Sequence, residues 1–474
     1  MFVGRKRELE ELDRYYREDA FHFVVFYGRR RVGKTTLINR FIEDKKSVYF
    51  TAVESTAKEN LDLLSNQILS VLAPEAPGNP FNSYANAFDY CFRAAMKKRL
   101  VFVIDEYPYL AECDKAVSSL LQAAIDKYQN NSRLFLILCG SSMSFMENQV
   151  LGYKSPLYGR RTCQFKITPF NYYECAEMLG AFKNEDKINL YGICGGIPDY
   201  IARIKSGLSV QQNAENLFFN PSGRLFEEPS NLLKQELKSP QTYNGIIAAI
   251  AAGASRLNEI ASKAGIETSQ CSNMLVTLIA LGIVKKEYPF GVTKDGSMTP
   301  GSSRKSIYRL ADFMFRFWYR FVLPDLSRIS MGYGTTVAKE VFREGNHENK
   351  IETYMGPVFE ECCTQFLWKE MSRGEFSFRT AGRWWGPNQK EKREEEIDII
   401  AAGGGKSALF AECKWRKLRT GNETLFDLIR KSELFPDFTD KKYILFSKSG
   451  FTTQLIKTAP QRNDTQLVSL AEML

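Results

Sequence analysis

No CxxC pair occurs in the 474 residues, although ten cysteines are scattered between Cys91 and Cys413. Paired thiols frame most zinc and redox sites, so neither is expected here. The adjacent Cys362 and Cys363 suit neither pattern, and Cys139 and Cys194 sit inside apolar runs. Reduced, buried thiols of a cytosolic protein account for them. No uninterrupted apolar run is long enough to span a bilayer. The opening MFVGRKRELEELDRYY is charged and helix-forming, without the apolar segment of a signal peptide. A soluble, cytoplasmic protein with no membrane partner is expected. Low-complexity tracts and internal repeats are missing too. With 44% hydrophobic and 25% charged residues, disorder is not the default reading. Charge of one sign is in modest excess, +9 with a pI near 8.9, which permits nucleic-acid contact without requiring it.

What is present is enough chain for two to four domains, at roughly 100–200 residues each. Residues 1–225 alternate strands with helices. Phe21–Tyr27, Ser47–Thr51, Leu100–Ile104 and Leu134–Gly140 read as strands, which argues a parallel sheet with helices on both faces. Residues 230–325 change character. Helices are expected at Tyr243–Ala252, Leu257–Ala264 and Thr268–Leu281, then strands at Ile283–Tyr288 and Ser306–Leu310. Three helices and a two-stranded wing form the winged helix-turn-helix pattern. The aromatic stretch Asp312–Val322 reads as interdomain core, since it lacks the Gly and Lys interleaving of a base-stacking platform. Residues 340–474 read as a small α/β domain. Its helices lie at Pro357–Met371 and Glu423–Leu434, its strands near Phe376–Thr380, Glu396–Ala401, Ala408–Trp415 and Lys442–Phe446.

Gly28, Arg29, Arg30, Arg31, Val32, Gly33, Lys34 and Thr35 match G-x-x-x-x-G-K-[ST], with Thr36 behind them. The string follows an apolar strand and opens a helix, as its mechanism requires. Glycines let the backbone wrap phosphates, and the N–H groups and helix dipole face the anion. Lys34 would reach the β and γ phosphates of ATP, and Thr35 would offer its hydroxyl to Mg²⁺. A carboxylate is then needed at the end of a neighbouring strand. Val101-Phe-Val-Ile-Asp105-Glu106 supplies Asp105 for Mg²⁺ and Glu106 to orient or activate water. Ser141, after Leu134–Gly140, is a sensor candidate or a plain turn residue. Arg160 could neutralise charge on the transferred phosphoryl, in its own subunit or a neighbouring one, or be one of a surface pair with Arg161.

Taken in order, Phe2-Val-Gly-Arg5, the phosphate loop, VFVIDEYPYL, LCGSS, LYGR and Gly195-Gly196-Ile197-Pro198 resemble the archaeal-type ATPases of the STAND branch of AAA-like proteins. The likeness covers roughly the first 220 residues. It implies that the VGR segment and the turn ending in Pro198 border the adenine and ribose, and that Arg160 senses nucleotide.

The helix expected in the recognition position, Thr268–Leu281, would expose Ser269, Gln270, Ser272 and Asn273 but is poor in Arg and Lys. The basic residues lie in the wing, at Lys285, Lys286, Lys294, Arg304 and Lys305. DNA contact and a packing role both remain open for this part.

Farther on, Glu396-Ile-Asp398-Ile-Ile and Phe410-Ala-Glu412-Cys413-Lys414-Trp415 flank a Gly-rich turn. Glu412 and Lys414 share one strand face, and Cys413 points the other way. In a hairpin centred on Gly405, Asp398 lies opposite Glu412. Two carboxylates offer hard oxygens to Mg²⁺ or Mn²⁺, and a lysine beside them can position water or neutralise a phosphate. A salt-bridged surface hairpin is the plainer reading. The pattern resembles the PD-(D/E)XK nuclease superfamily. With Gly356-Pro-Val-Phe-Glu360 and Trp384-Trp385, it resembles the nuclease-like domain often fused to archaeal-type ATPases. That resemblance implies a catalytic core of Glu360, Asp398, Glu412 and Lys414, although Ile397 stands where the superfamily name has proline. Arg379, Arg383, Lys390, Lys392 and Arg393 could bind phosphates.

The sequence therefore predicts an α/β chain: a P-loop NTPase sheet, a winged helix and a restriction-endonuclease-like domain. It predicts an ATPase that controls a metal-dependent nuclease acting on DNA. The alternatives are an ATP-dependent switch or DNA-binding regulator, self-assembling with nucleotide and carrying an inactive nuclease fold, or an ATPase without a nucleic-acid partner.

Overall fold

Three of the expected apolar runs are strands buried at every residue in the computed structural model, which describes residues 2–75, 78–237, 239–291, 306–343, 350–374, 377–403 and 405–474. The chain divides into two compact units, Met1–Phe170 with Ile197–Asp199, and Asn171–Gly196 with Tyr200–Leu474.

In the first unit β1 (His22–Tyr27), β2 (Ser47–Thr51), β3 (Leu100–Asp105), β4 (Leu134–Gly140) and β5 (Cys163–Lys166) form one sheet in the order β2-β3-β4-β1-β5. Every pairing is parallel. Parallel neighbours need long crossovers, and helices such as Lys34–Ile42, Ala57–Leu72, Tyr84–Lys97 and Val117–Tyr128 supply them. Because helices cover both faces, β1, β3 and β4 carry continuous apolar sequence rather than alternation. Phe88, Phe92, Phe102 and Leu136 anchor the core. β4 lies between β1 and β3, so the ends of all three meet at one edge of the sheet. Ligands of open α/β sheets bind at that carboxyl edge.

The second unit contains helices Pro240–Ala251, Leu257–Ala264 and Thr268–Ala280, then the antiparallel pair β6 (Val284–Glu287) and β7 (Ile307–Leu310). Of the expected wing cations, Lys294, Arg304 and Lys305 lie outside the described residues. The aromatic stretch forms a helix over Phe313–Phe317 continued by a wider turn to Val322. Phe317 packs edge-on against Phe218 and Tyr354. The Tyr354 hydroxyl lies 2.6 Å from the Gly192 carbonyl. These contacts place the helices on either side of residue 197 in the second unit. The division between the two compact units falls after Phe170.

The same unit holds a second sheet of β8 (Thr380–Asn388), β9 (Arg393–Ala402), β10 (Ser407–Lys414), β11 (Asp440–Ser447) and β12 (Thr465–Ser469), in the order β12-β11-β10-β9-β8. β8, β9 and β10 are antiparallel, whereas β11 and β12 add in parallel after helix crossovers. The helix Lys350–Ser372 packs on this sheet through Phe359 and Phe366. The strand expected at Phe376–Thr380 instead begins at Thr380, and Phe376 lies outside the described residues. Among the described residues no helix is long and apolar enough to cross a membrane. The ten cysteines are free, and most are buried.

Candidate functional site

At the edge of the first sheet, the chain leaves β1 through Gly28, whose φ is 151°. A Cβ there would meet the Ile167 carbonyl oxygen at 2.2 Å, so only glycine fits. Gly33, at φ 90°, turns the loop into the helix Lys34–Ile42. Lys34 Nζ donates to the Gly28 and Arg29 carbonyls at 2.8 and 2.9 Å, curling back along the inner wall of the loop. Val32 is buried, Arg30 Nη2 reaches the Tyr109 hydroxyl at 3.0 Å, and Arg31 stands 3.9 Å from Asp199. The hydroxyl-bearing Thr35 and Thr36 are exposed.

Thr35 Oγ1 donates to Asp105 Oδ2 at 2.9 Å, and the Tyr49 hydroxyl donates to the same oxygen at 2.6 Å. Asp105 Oδ1 accepts from the Glu106 amide at 2.9 Å. Glu106 takes a left-handed conformation, φ 51°, which costs a non-glycine residue energy and turns its side chain toward the β4 edge. There Ser141 Oγ donates to Glu106 Oε2 at 2.9 Å. Thr35, Asp105, Glu106 and Ser141 thus form one chain of contacts over the ends of three strands. Oxygen ligands from a threonine and a buried aspartate suit Mg²⁺, and the glycine cradle suits phosphate. Tyr49 escaped the sequence reading. The signal available was alternation on β2, which lies against β3 with Tyr49 opposite Val103.

Arg5 Nη2 donates to the Val32 and Thr168 carbonyls at 3.1 and 2.5 Å, and its guanidinium lies 4.7 Å from the Phe170 ring centre. It braces the loop from behind. Pro198 lies beside the loop, its Cγ 4.0 Å from where a Cβ on Gly33 would stand. Arg160 is elsewhere. Its Nε and Nη2 donate to the two oxygens of Asp126 at 2.7 and 2.8 Å, which holds the Asp126 carboxyl below its ordinary pKa. Among the described residues Arg160 shares no contact with Lys34, Thr35, Asp105 or Glu106.

The second sheet assembles another polar group. The β9–β10 register runs from Ala402 opposite Ala408 to Ile399 opposite Ala411, so the hairpin is centred on Gly405. One rung further, Asp398 and Glu412 stand across from each other. The ladder stops there, and Asp398 Oδ2 accepts from the Cys413 amide at 2.8 Å in place of a backbone bond. Both carboxylates are buried. Burial, then the charges of Glu412 and Glu360, push the Asp398 carboxyl up to about 8. Burial works against the Lys414 ammonium, but Glu412 outweighs it and raises the pKa; the two are 2.5 Å apart. Glu412 Oε2 makes no hydrogen bond, with Lys431 Nζ 3.8 Å away. Lys431 was not foreseen, because it arrives from the helix Asn422–Ser432. Glu360 lines the same cavity as Asp398 and stands 3.9 Å from Arg383. Among the described residues no three His, Cys, Asp or Glu side chains converge as a metal site. The group offers a cation the two carboxylates of Asp398 and Glu412.

Arg379, Lys390 and Lys392 are not drawn into this group, and Arg393 pairs with Glu391 and Glu395.

A family model described as an ATPase domain predominantly from Archaea matches residues 2–204, and one described as Archaea bacterial proteins of unknown function matches residues 318–424. An uncharacterized protein of Methanocaldococcus jannaschii is 32% identical over 454 residues, covering 94% of this chain and 96% of that protein. An uncharacterized ATP-binding protein of the same organism is 56% identical over 46 residues, 10% of this chain and 78% of that protein. Among solved structures, a Walker-type ATPase of Pyrococcus abyssi aligns with a TM-score of 0.49 at 19% identity, over 67% of this chain and 96% of that one. With the phosphate loop, its acidic strand end and a relative matched along nearly its whole length, this chain belongs to the archaeal P-loop ATPase family that carries a C-terminal domain of unknown function.

Proposed function

We propose that the first unit hydrolyses ATP with Mg²⁺ and that this cycle controls a nuclease-like centre, acting on DNA, in the second. The contact chain Thr35–Asp105–Glu106–Ser141 carries the first half of the reading. Gly28 to Gly33 bind the phosphates through backbone N–H groups, and Lys34 exchanges its loop carbonyls for phosphate oxygens. Mg²⁺, when bound, neutralises charge on the transferred phosphoryl; Thr35 and Asp105 are the residues that would hold it. Glu106 orients the attacking water and takes its proton. Ser141 fixes the Glu106 carboxylate, and Tyr49 holds Asp105. Pro198 borders the nucleotide.

The second half rests on Asp398, Glu412 and Lys414 at the open end of one hairpin. The carboxylates would bind Mg²⁺ or Mn²⁺, and Lys414 would place water or phosphate. Residues 230–325 would act as a winged helix-turn-helix between an ATPase part, 1–225, and a nuclease-like part, 340–474. One observation favours a second reading, an ATP-dependent switch or DNA-binding regulator: Lys414 is tied to Glu412 by a direct ion pair.

The test is cleavage of linear and single-stranded DNA with Mg²⁺ or Mn²⁺, with and without ATP, comparing wild type with Lys414→Ala. Cleavage by wild type alone supports the nuclease, and its ATP dependence shows the control. No cleavage under any condition leaves the switch.

A further inference from the structure

In the second unit a cavity of about 660 Å³ opens between the three-helix segment, β7 and the helix Lys350–Ser372. Four arginines line it, Arg309, Arg316, Arg320 and Arg383, and among the described residues no carboxylate does. A second cavity of about 360 Å³ reaches Glu360 and Asp398. Arg309, Arg316 and Arg383 line both, so the two are lobes of one cleft. The cationic lobe ends where the carboxylates begin.

These arginines are not all neutralised. Arg309 is 3.4 Å from Glu287, and Arg383 is 2.7 Å from Glu396. Among the described residues no ion pair engages Arg316 or Arg320. Arg316 is half-buried over the Tyr354 ring, 4.9 Å from its centre, and burial and the charge of Arg309 lower its pKa. Glu360 and Glu287 offset part of that charge at Arg316, and the positive field left in the first lobe attracts an anion. Tyr308 lines the first lobe and Trp385 the second. Cations that track a backbone, interleaved with aromatic faces, are the chemistry of single-stranded nucleic-acid binding. Pockets of several hundred Å³ take ligands the size of one or a few nucleotides, which favours a single strand over a duplex.

We propose that this cleft binds a short single-stranded stretch of a polynucleotide, its phosphates on Arg316 and Arg320 and its path leading past Arg383 to Asp398. The proposal rests on the reading of the second unit as DNA-acting and narrows its substrate to single strands, ends or flaps.

Fluorescence anisotropy in EDTA, which prevents metal-dependent cutting, tests it with a labelled oligodeoxythymidylate of about 20 nucleotides, a blunt duplex of equal length, and dTMP as competitor. The single strand should bind at least about tenfold more tightly than the duplex. Arg316→Gln and Arg320→Gln should each weaken it by about tenfold and reduce the salt slope by about one. Arg320 is exposed, so its variant keeps the fold even where Arg316→Gln does not. Equal affinity for duplex, unchanged binding in Arg320→Gln, or competition by dTMP as strong as by the oligonucleotide would each overturn the proposal. A wild type that binds the strand through Arg320 yet never cuts it refutes cleavage and leaves the cleft assignment standing. Cutting that persists in Arg320→Gln at unchanged affinity does the reverse.

Discussion

A methyl group at Gly28 would stand 2.2 Å from the Ile167 carbonyl oxygen, on a backbone at φ 151°. Nothing near it is a flexible side-chain end, so the loop itself must shift. Gly28→Ala should therefore lose nucleotide binding, read by titration with a fluorescent ATP analogue, while the second unit's melting is unchanged. Lys34→Ala should also abolish binding; wild-type ATP turnover in that variant would refute the site. Glu106→Gln should bind normally and hydrolyse at least about a hundredfold more slowly, as loss of a general base costs. Ser141→Ala should fall between, since Glu106 survives but loses its anchor. In the second unit Asp398 sets a different sign. Its carboxyl is held at about 8 when folded, against about 3.9 in an unfolded chain. Between those values the folded state binds the extra proton, so stability is full at low pH and falls as pH rises toward 8. In EDTA the wild-type melting temperature should drop from pH 5 to pH 8.5, and Asp398→Asn should remove most of that slope. Parallel curves would refute the burial of this carboxyl.

Elements show which parts of the fold the sequence makes visible. The phosphate-loop strand could be read because burial on both faces demands an apolar run, and β1, β3 and β4 are such runs. The β9–β10 hairpin could be placed because a Gly-rich turn separates two apolar runs, and a hairpin's turn sets its register. β8 was harder. Its Gly382, Trp384, Trp385, Gly386 and Pro387 break strand alternation, and its register shifts between Gly382 and Trp384. β12 is five mostly polar residues at a sheet edge, too short to announce itself. Tyr49 and Lys431 reach their sites through tertiary packing, which spacing along one chain does not encode. Arg160 likewise meets Asp126 on the helix Val117–Tyr128, a pairing that motif order does not encode. The chain end after β12 packs back as an element of its own. Leu470 and Met473 are buried, and the Tyr172 hydroxyl donates to the Met473 carbonyl at 3.0 Å. Deleting Leu470–Leu474 removes that burial and orphans a hydroxyl, at a cost of about 3–5 kcal/mol. The urea midpoint of the second unit should fall accordingly.

At the scale of the whole molecule, the proposal of control requires that the two compact units communicate. Coupling is a free energy, and for binding it is reciprocal. If ATP changes the affinity of the second unit for single-stranded DNA by some factor, DNA must change ATP affinity by the same factor. Coupling of this kind typically amounts to roughly 5–150-fold. Glu106→Gln makes the measurement possible, because it should hold ATP without consuming it. DNA affinity measured with and without saturating ATP gives one factor, and ATP affinity measured with and without saturating DNA gives the other. Both belong in EDTA-free buffer with Lys414→Ala added, so that Mg²⁺ is present and the DNA survives. Equal factors well above one establish a switch whether or not the second centre cuts. Two factors of one separate the units thermodynamically, and ATP could then act on the DNA site only through hydrolysis itself, visible as turnover-dependent cleavage that Glu106→Gln lacks.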